Sequence, residues 1–236
     1  MIAVRSNNLF TSFKAFYSLK SRQPSITIMF HNFAYACAFA TLLAVPATAR
    51  DVPANVKAFY DQVRGRQQCS NVLKTGFHSK EGGKGDYGYC GDYLSNYNAG
   101  INDLNAYVHP YVVFGNDGSK PGWPTFDPKK HGIEPLSVMA VVCNNKVIYV
   151  IWADTNGDDG SQAMVGEASL SLATACFGTG MNGNAGHDQS DVLYIAFPGK
   201  DAVPGAHGAT WAANTYDEFE DSISALGNRL LKRIRA

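Results

Sequence analysis

Residues 136–177 read LSVMAVVCNNKVIYVIWADTNGDDGSQAMVGEASLSLATACF. Two almost unbroken apolar runs, Leu136–Cys143 and Val147–Trp152, flank Asn144-Asn145-Lys146. Runs of this length, rich in Val and Ile and joined by a short Asn-containing link, predict a β-hairpin. Polar residues do not alternate through either run, so both faces of the strands are expected to be buried, in a covered sheet or a barrel. The second strand is expected to deliver Asp154 at its end. A glycine-broken polar loop follows, and Gly166-Glu167 then opens a helix whose main run is Ser169–Phe177, with Gly178 as its stop.

Working outward, Tyr111–Phe114 predicts a strand that stops at the turn signal Gly115-Asn116-Asp117-Gly118, and Val192–Phe197 predicts another. Val56, Phe59, Tyr60 and Val63 fall at helical spacing and predict a short amphipathic N-terminal helix. Thr75–Asn105, rich in Gly, Tyr, Asn and Asp, has no clear period and reads as loop. Near the end, Thr215 with Glu218 three residues on forms a capping box. Phe219, Ile223, Leu226, Leu230 and Ile234 then repeat along one helical face, with Lys232, Arg233 and Arg235 at the negative end of the dipole. The expected class is α+β: a β-rich core with an N-terminal helix and a C-terminal amphipathic helix.

The first 49 residues read differently. Phe33–Val45 is apolar but too short for a comfortable membrane span, and Pro46 and Ala47-Thr48-Ala49 follow as an A-x-A cleavage pattern. Residues 1–49 are therefore expected to be a leader and secretory signal, with Met29 as an alternative start, and 50–236 a single catalytic domain. The whole chain is formally neutral, with 20 basic and 20 acidic residues. The leader holds Arg5, Lys14, Lys20 and Arg22 and no acid, so residues 50–236 carry 16 basic against 20 acidic groups, a balance of −4. That mild acidity does not suit a nucleic-acid partner and does suit a cationic substrate. Cys69, Cys90, Cys143 and Cys176 remain outside the leader, an even set that reads as two disulfides; neighbour pairing, Cys69–Cys90 and Cys143–Cys176, is expected.

The chemistry concentrates between Trp152 and Ser169. Two acids, Asp154 and Glu167, stand at the ends of rigid elements with a loop between them, and so can face one cleft. Hydrolysis of a glycosidic bond needs that arrangement: one carboxyl group protonated to donate to the leaving oxygen, the other ionised to act on water or the anomeric carbon. Asp154-x-Asn156-x-Asp158 opens like an EF-hand loop, but Asp159 replaces the required Gly and Val165 the required Glu. Without further information, Asp and Asn in a glycine-rich turn simply bond local backbone, and Glu167 serves a helix dipole. Neither a phosphate loop nor a nucleophile-elbow serine is present, which leaves phosphoryl, hydride and serine-acyl chemistry without a foothold.

Ordered blocks decide between these readings. YVVFGN at Tyr111–Asn116, HGIEPLSVMAVVC at His131–Cys143, WADTNG with VGEAS, GHD at Gly186–Asp188, DVLYIAF at Asp191–Phe197 and DAVPGA at Asp201–Ala206 together resemble the fungal chitosanases of glycoside hydrolase family 75. The resemblance implies a secreted endo-chitosanase that hydrolyses β-1,4 glucosamine linkages with inversion, its catalytic carboxylates matching Asp154 and Glu167. It implies chitosan as partner and a monomer without metal, cofactor, nucleic acid or membrane. One departure is Ala153, where the family pattern has Gly; its methyl group is expected to narrow the approach to Asp154. For a substrate carrying ammonium groups, Asn156, Asp158, Asp159, Asp188, His187 and His109 are the binding candidates, with Asp191 a further acid and Trp123 and Tyr111 as sugar-stacking rings. The strand-Asp-loop-GEASLSLA pattern is also similar to double-psi β-barrel domains. The competing reading is a non-catalytic polysaccharide-binding or wall-loosening protein on a similar barrel.

Overall fold

The computed structural model describes residues 2–5, 50–64, 91–123, 125–158, 165–182, 186–187, 189 and 191–235. Its elements are β1 (Ile2–Arg5), β2 (Arg50–Asp51), α1 (Ala54–Arg64), α2 (Gly91–Tyr97), β3 (Tyr111–Asn116), β4 (Val138–Cys143), β5 (Lys146–Asn156), β6 (Glu167–Ala168), α3 (Leu170–Phe177), β7 (Leu193–Ala196) and α4 (Tyr216–Leu231). The class is α+β. One mixed sheet runs in the order β1-β7-β4-β5-β3-β6, and β2 pairs with the start of β5. β3 and β5 are parallel, while the other strand pairs are antiparallel.

The β4–β5 hairpin turns on Asn144 and Asn145, both at positive φ (45° and 58°). A two-residue link with two left-handed residues matches the right-handed twist of the strands, and Asn tolerates that conformation better than most residues. The Asn144 amide donates to Cys176 O at 3.1 Å, and Cys143 is disulfide-bonded to Cys176. The turn end of the hairpin is thereby tied to α3.

Both faces of the sheet are covered. On one face lie Val138, Ala140, Val142, Val147, Tyr149, Ile151, Leu193 and Ile195, capped by the buried row Phe219, Ile223, Leu226 and Leu230 of α4. The other face holds Met139, Val141, Ile148, Val150, Trp152 and Tyr194, with Leu172, Ala175 and Cys176 of α3 against them. Adjacent residues of one strand enter opposite cores, which is why the sequence runs show no polar alternation. α4 comes closest at Gly227, where a Cβ would stand 2.3 Å from the Tyr149 ring. Emptying one of its fully buried positions, as in Ile223→Ala, is expected to cost about 2–5 kcal/mol.

In the pairing order, β7 and β6 are separated by β4, β5 and β3, which would put them about 19 Å apart in a flat sheet. Yet Tyr194 of β7 and Ala168 of β6 belong to one buried cluster. No strand pairing closes the ladder among the described residues. No helix among them is long and apolar enough to cross a membrane.

Three expectations need correction. The second hairpin strand does not stop near Asp154 but continues to Asn156, because β3 pairs with it that far. Glu167 does not open a helix: it lies on the two-residue β6, and the α3 N-cap is Ser169, whose hydroxyl accepts Leu172 N. Within the stretch read as loop, residues 91–97 form α2, anchored by the buried Leu94. Ile2–Arg5, inside the segment read as leader, pair with β7. Cys69 and Cys90 lie outside the described residues.

Candidate active site

β3 lies between β5 and β6, and its Val113 is the register partner of Asp154 on one side and of Glu167 on the other. Two strand spacings place the Cα atoms of the two acids about 10 Å apart. The ladder is irregular here: from Val112 to Val113 the β5 partner advances two residues, from Trp152 to Asp154. Such bulges bend a strand and re-aim its side chains. The Trp152 indole N–H donates to Asp154 O at 2.7 Å and holds the bulged backbone. Beyond it, β3 and β5 approach so closely at Gly115 that a Cβ would stand 2.6 Å from Thr155 Oγ1. Ala153 packs its methyl group into the core with Val113 and Ile151, so the expected narrowing beside Asp154 does not arise.

Asp154 is half-buried, and its Oδ1 accepts Thr155 N at 2.7 Å. Asn156, two residues on, projects to the same side of the strand. Its Nδ2 donates to Glu167 Oε2 at 2.7 Å, and both residues are 7% exposed. Glu167 itself is held between two backbone bonds to β3, Gly166 N to Val113 O at 2.7 Å and Ser169 N to Tyr111 O at 3.0 Å. Thus the sheet bonds Asn156 to Glu167 and sets Asp154 two strand spacings from Glu167, across Val113. Residues 154–156 are strand, not the start of a calcium loop.

A family model described as fungal chitosanase of glycosyl hydrolase group 75 matches residues 61–233. The chain belongs to this family of glycoside hydrolases. An endo-chitosanase of Aspergillus oryzae is 40% identical over 251 aligned positions, covering 86% of this chain and 99% of the relative. An endo-chitosanase of Aspergillus fumigatus is 40% identical over 238 positions, covering 82% and 96%. Endo-chitosanase B of Aspergillus oryzae is 40% identical over 246 positions, covering 84% and 97%.

The other site candidates of this glycoside hydrolase are dispersed. His109 is 2% exposed and lies edge-on to Phe219 under α4. Its Nδ1 accepts Asn105 N at 2.8 Å and its Nε2 therefore donates to Trp211 O at 2.9 Å. Burial holds its pKa below the ordinary 6.5. With both nitrogens committed to backbone, His109 fastens the fold rather than reaching substrate. His187 stacks on Phe177 at 3.7 Å and bonds Asp191 Oδ1 at 2.6 Å. Tyr111 is core, with 1% exposure. Asp159 and Asp188 lie outside the described residues.

Asp158 is exposed, and its carboxylate accepts the Ser119 hydroxyl and the backbone N–H groups of Ser119 and Lys120. The Ser119 hydroxyl, followed by the Lys120 N–H, holds its pKa below the usual carboxylate range. Asp158 therefore organises the 117–123 loop beside the end of β5, in which Lys120 Nζ sits 4.4 Å over the Trp123 ring. One partner escaped sequence reasoning: the Trp152 indole, which donates to Asp154 O. An aromatic within an apolar strand carries no signal that distinguishes this duty from packing. Tyr194 is pushed far up, first by burial and then by the Glu167 charge. Among the described residues no three His, Cys, Asp or Glu side chains gather as a metal site.

Proposed function

We propose that this glycoside hydrolase cuts chitosan internally at β-1,4 glucosamine linkages, with Asp154 and Glu167 as its catalytic pair. The observation that carries the assignment is their shared register on Val113, joined by the Asn156–Glu167 bond. Cα atoms about 10 Å apart on the two strands that flank β3 allow a carboxyl separation of about 6.5–9.5 Å, which leaves room for the water of an inverting mechanism. Glu167 is buried and Asp154 half-exposed. Burial favours an uncharged carboxyl and solvation a charged one. Glu167 is accordingly the general acid that protonates the leaving oxygen, and Asp154 the general base that activates water.

The relatives' name, endo-chitosanase, supports the substrate. The parallel β3–β5 pair and the burial of Tyr194 of β7 in one cluster with Ala168 of β6 support a double-psi β-barrel as the finer form of the fold. Residues 1–49 are read as a leader whose removal at Ala49 would expose Arg50 and take β1 from the edge of β7. N-terminal sequencing of protein from the culture medium tests that cleavage.

The decisive assay is release of reducing ends from soluble chitosan by Asp154→Asn and Glu167→Gln. Each is expected to lose about a thousandfold in kcat while the chain stays folded. Near-native turnover in either variant removes that residue from the mechanism. No reducing-end release by the unaltered protein would favour the binding or wall-loosening alternative.

A further inference from the structure

We propose that Asn156 is a positioning residue that fixes the carboxyl orientation of Glu167 and confines its transferable proton to Oε1. The proposal rests on the catalytic reading of Asp154 and Glu167 and assigns a device within that site.

Glu167 has three side-chain torsions and stands on a strand of only two residues. Backbone pairing to β3 holds its main chain but leaves the carboxyl group to be oriented by its neighbours. Asn156 supplies one: it is the last residue of an eleven-residue strand, in register with Asn116 and buried, and its Nδ2 donates to Oε2 at 2.7 Å. Between the two oxygens of a neutral carboxyl group, the carbonyl oxygen is the better acceptor. The amide bond to Oε2 therefore places the acid proton on Oε1, and donation to a glycosidic oxygen proceeds from Oε1. Upon transfer, the proton leaves Oε1 for the departing oxygen and the resulting carboxylate keeps the Asn156 bond, now charge-assisted and stronger. Asn156 thus stabilises the product side of the step while holding the geometry of the reactant side.

Two titratable groups flank this arrangement among the described residues. Asp154 projects from β5 on the same side as Asn156, and Tyr194 of β7 lies in one buried cluster with Ala168, the residue after Glu167. Tyr194, raised by burial above its ordinary value of 10, stays neutral throughout the assay range. The alkaline limb of the activity profile then belongs to Glu167 and the acidic limb to Asp154. An N–H donor favours the ionised carboxyl, so removing it weakens the acid and moves the alkaline limb to higher pH.

The test uses the full-length protein and the variants Asn156→Ala and Asn156→Asp, with kcat, KM and the pH profile on soluble chitosan and melting curves for each. Asn156→Ala is expected to lower kcat about a hundredfold, with KM little changed and the alkaline limb moved upward. Asn156→Asp preserves the shape but donates only when its new carboxyl is protonated. Its activity is expected to be low at neutral pH and to recover as pH falls, a readout that survives even if the alanine variant misfolds. Movement of the acidic limb instead would assign Glu167 the base role and overturn the proposal, since a base holds no transferable proton on Oε1. The proposal is overturned by turnover within threefold of the parent in Asn156→Ala. A loss of kcat in both variants with neither limb moved and no recovery at low pH overturns it equally. Glu167→Gln is run in parallel: if that variant keeps full turnover, the catalytic pair itself fails, independently of Asn156.

Discussion

Two glutamates are buried among the described residues, Glu167 at 7% exposure and Glu220 at 0%, and they have opposite surroundings. Glu220, on α4, accepts Tyr149 N at 3.0 Å and pairs with the Arg50 guanidinium, which lies 4.9 Å from the centroid of the Tyr149 ring. Cation, backbone donor and aromatic ring together clamp α4 and β2 onto β5. Glu167 is met by the neutral amide of Asn156 and stands one strand away from the half-exposed Asp154. The comparison teaches that depth alone does not mark a reactive carboxyl group. A glutamate held by a guanidinium is spent on holding elements together, whereas the one held by an amide, near a second and partly solvated acid, is the one proposed as proton donor.

The largest effect that separates the two is on turnover. Glu167→Gln is expected to lose about a thousandfold in kcat, whereas Glu220→Gln should keep kcat within threefold of the parent. Reducing-end assays on the two variants, made side by side, check the contrast. Equal losses in folded proteins would abolish it.

The next effect is on stability. Arg50→Ala leaves the fully buried Glu220 facing only Tyr149 N and a neighbouring Asp221, and breaking such a pair from one side is expected to cost about 3 kcal/mol at neutral pH. The sign of its pH dependence follows from Glu220. Burial raises its pKa above the ordinary 4.5, with Arg50 opposing the rise. A carboxyl whose folded pKa is raised binds its proton more tightly in the native state, so stability falls as pH rises above 4.5 through the folded value. Without Arg50 that penalty grows. The loss in Arg50→Ala should therefore shrink as pH is lowered towards 4.5, and the double variant with Glu220→Gln should recover much of it. Denaturant melts across pH would show both; a loss independent of pH would mean that Arg50 acts through packing alone.

Much of this architecture is legible in the chain itself. The twin apolar runs around Asn144-Asn145 specify the hairpin, and the spacing from Phe219 to Leu230 specifies the face that α4 buries, because both signals are local and periodic. β5 outruns its apolar run because Asp154, Thr155 and Asn156 are held by pairing with β3, a partner some forty residues upstream. Glu167 enters a strand rather than a helix for the same reason: Val113 takes it into register before Ser169 caps α3. α2 forms in a polar, glycine-rich stretch because Leu94 is buried and Tyr97 packs on Trp211, with ring centroids 5.7 Å apart, contacts with no periodic trace. In the site, the two acids could be picked out by residue type and family pattern. Asn156 could be named as a candidate, but its bond to Glu167 depends on the bulged geometry of three strands.

His109 sharpens the comparison at the smallest scale, since it too is buried and titratable yet bonded wholly to backbone. The Asn105 N–H occupies the Nδ1 lone pair that a second proton would need, and Nε2–H is committed to Trp211 O. Burial keeps the native pKa below 6.5, while the unfolded chain takes up its proton near that value. The unfolded state therefore binds more protons just below pH 6.5, and the contribution of His109, complete above that pH, is lost as pH falls towards its native pKa. His109→Gln, which stays neutral, is expected to cost about 1 kcal/mol at pH 7 and to flatten the stability profile just below pH 6.5. Chitosan turnover per folded molecule should be unchanged. If instead the pH profile of kcat moves while stability does not, His109 communicates with the carboxylates and the division between holding and reacting groups is wrong at this residue.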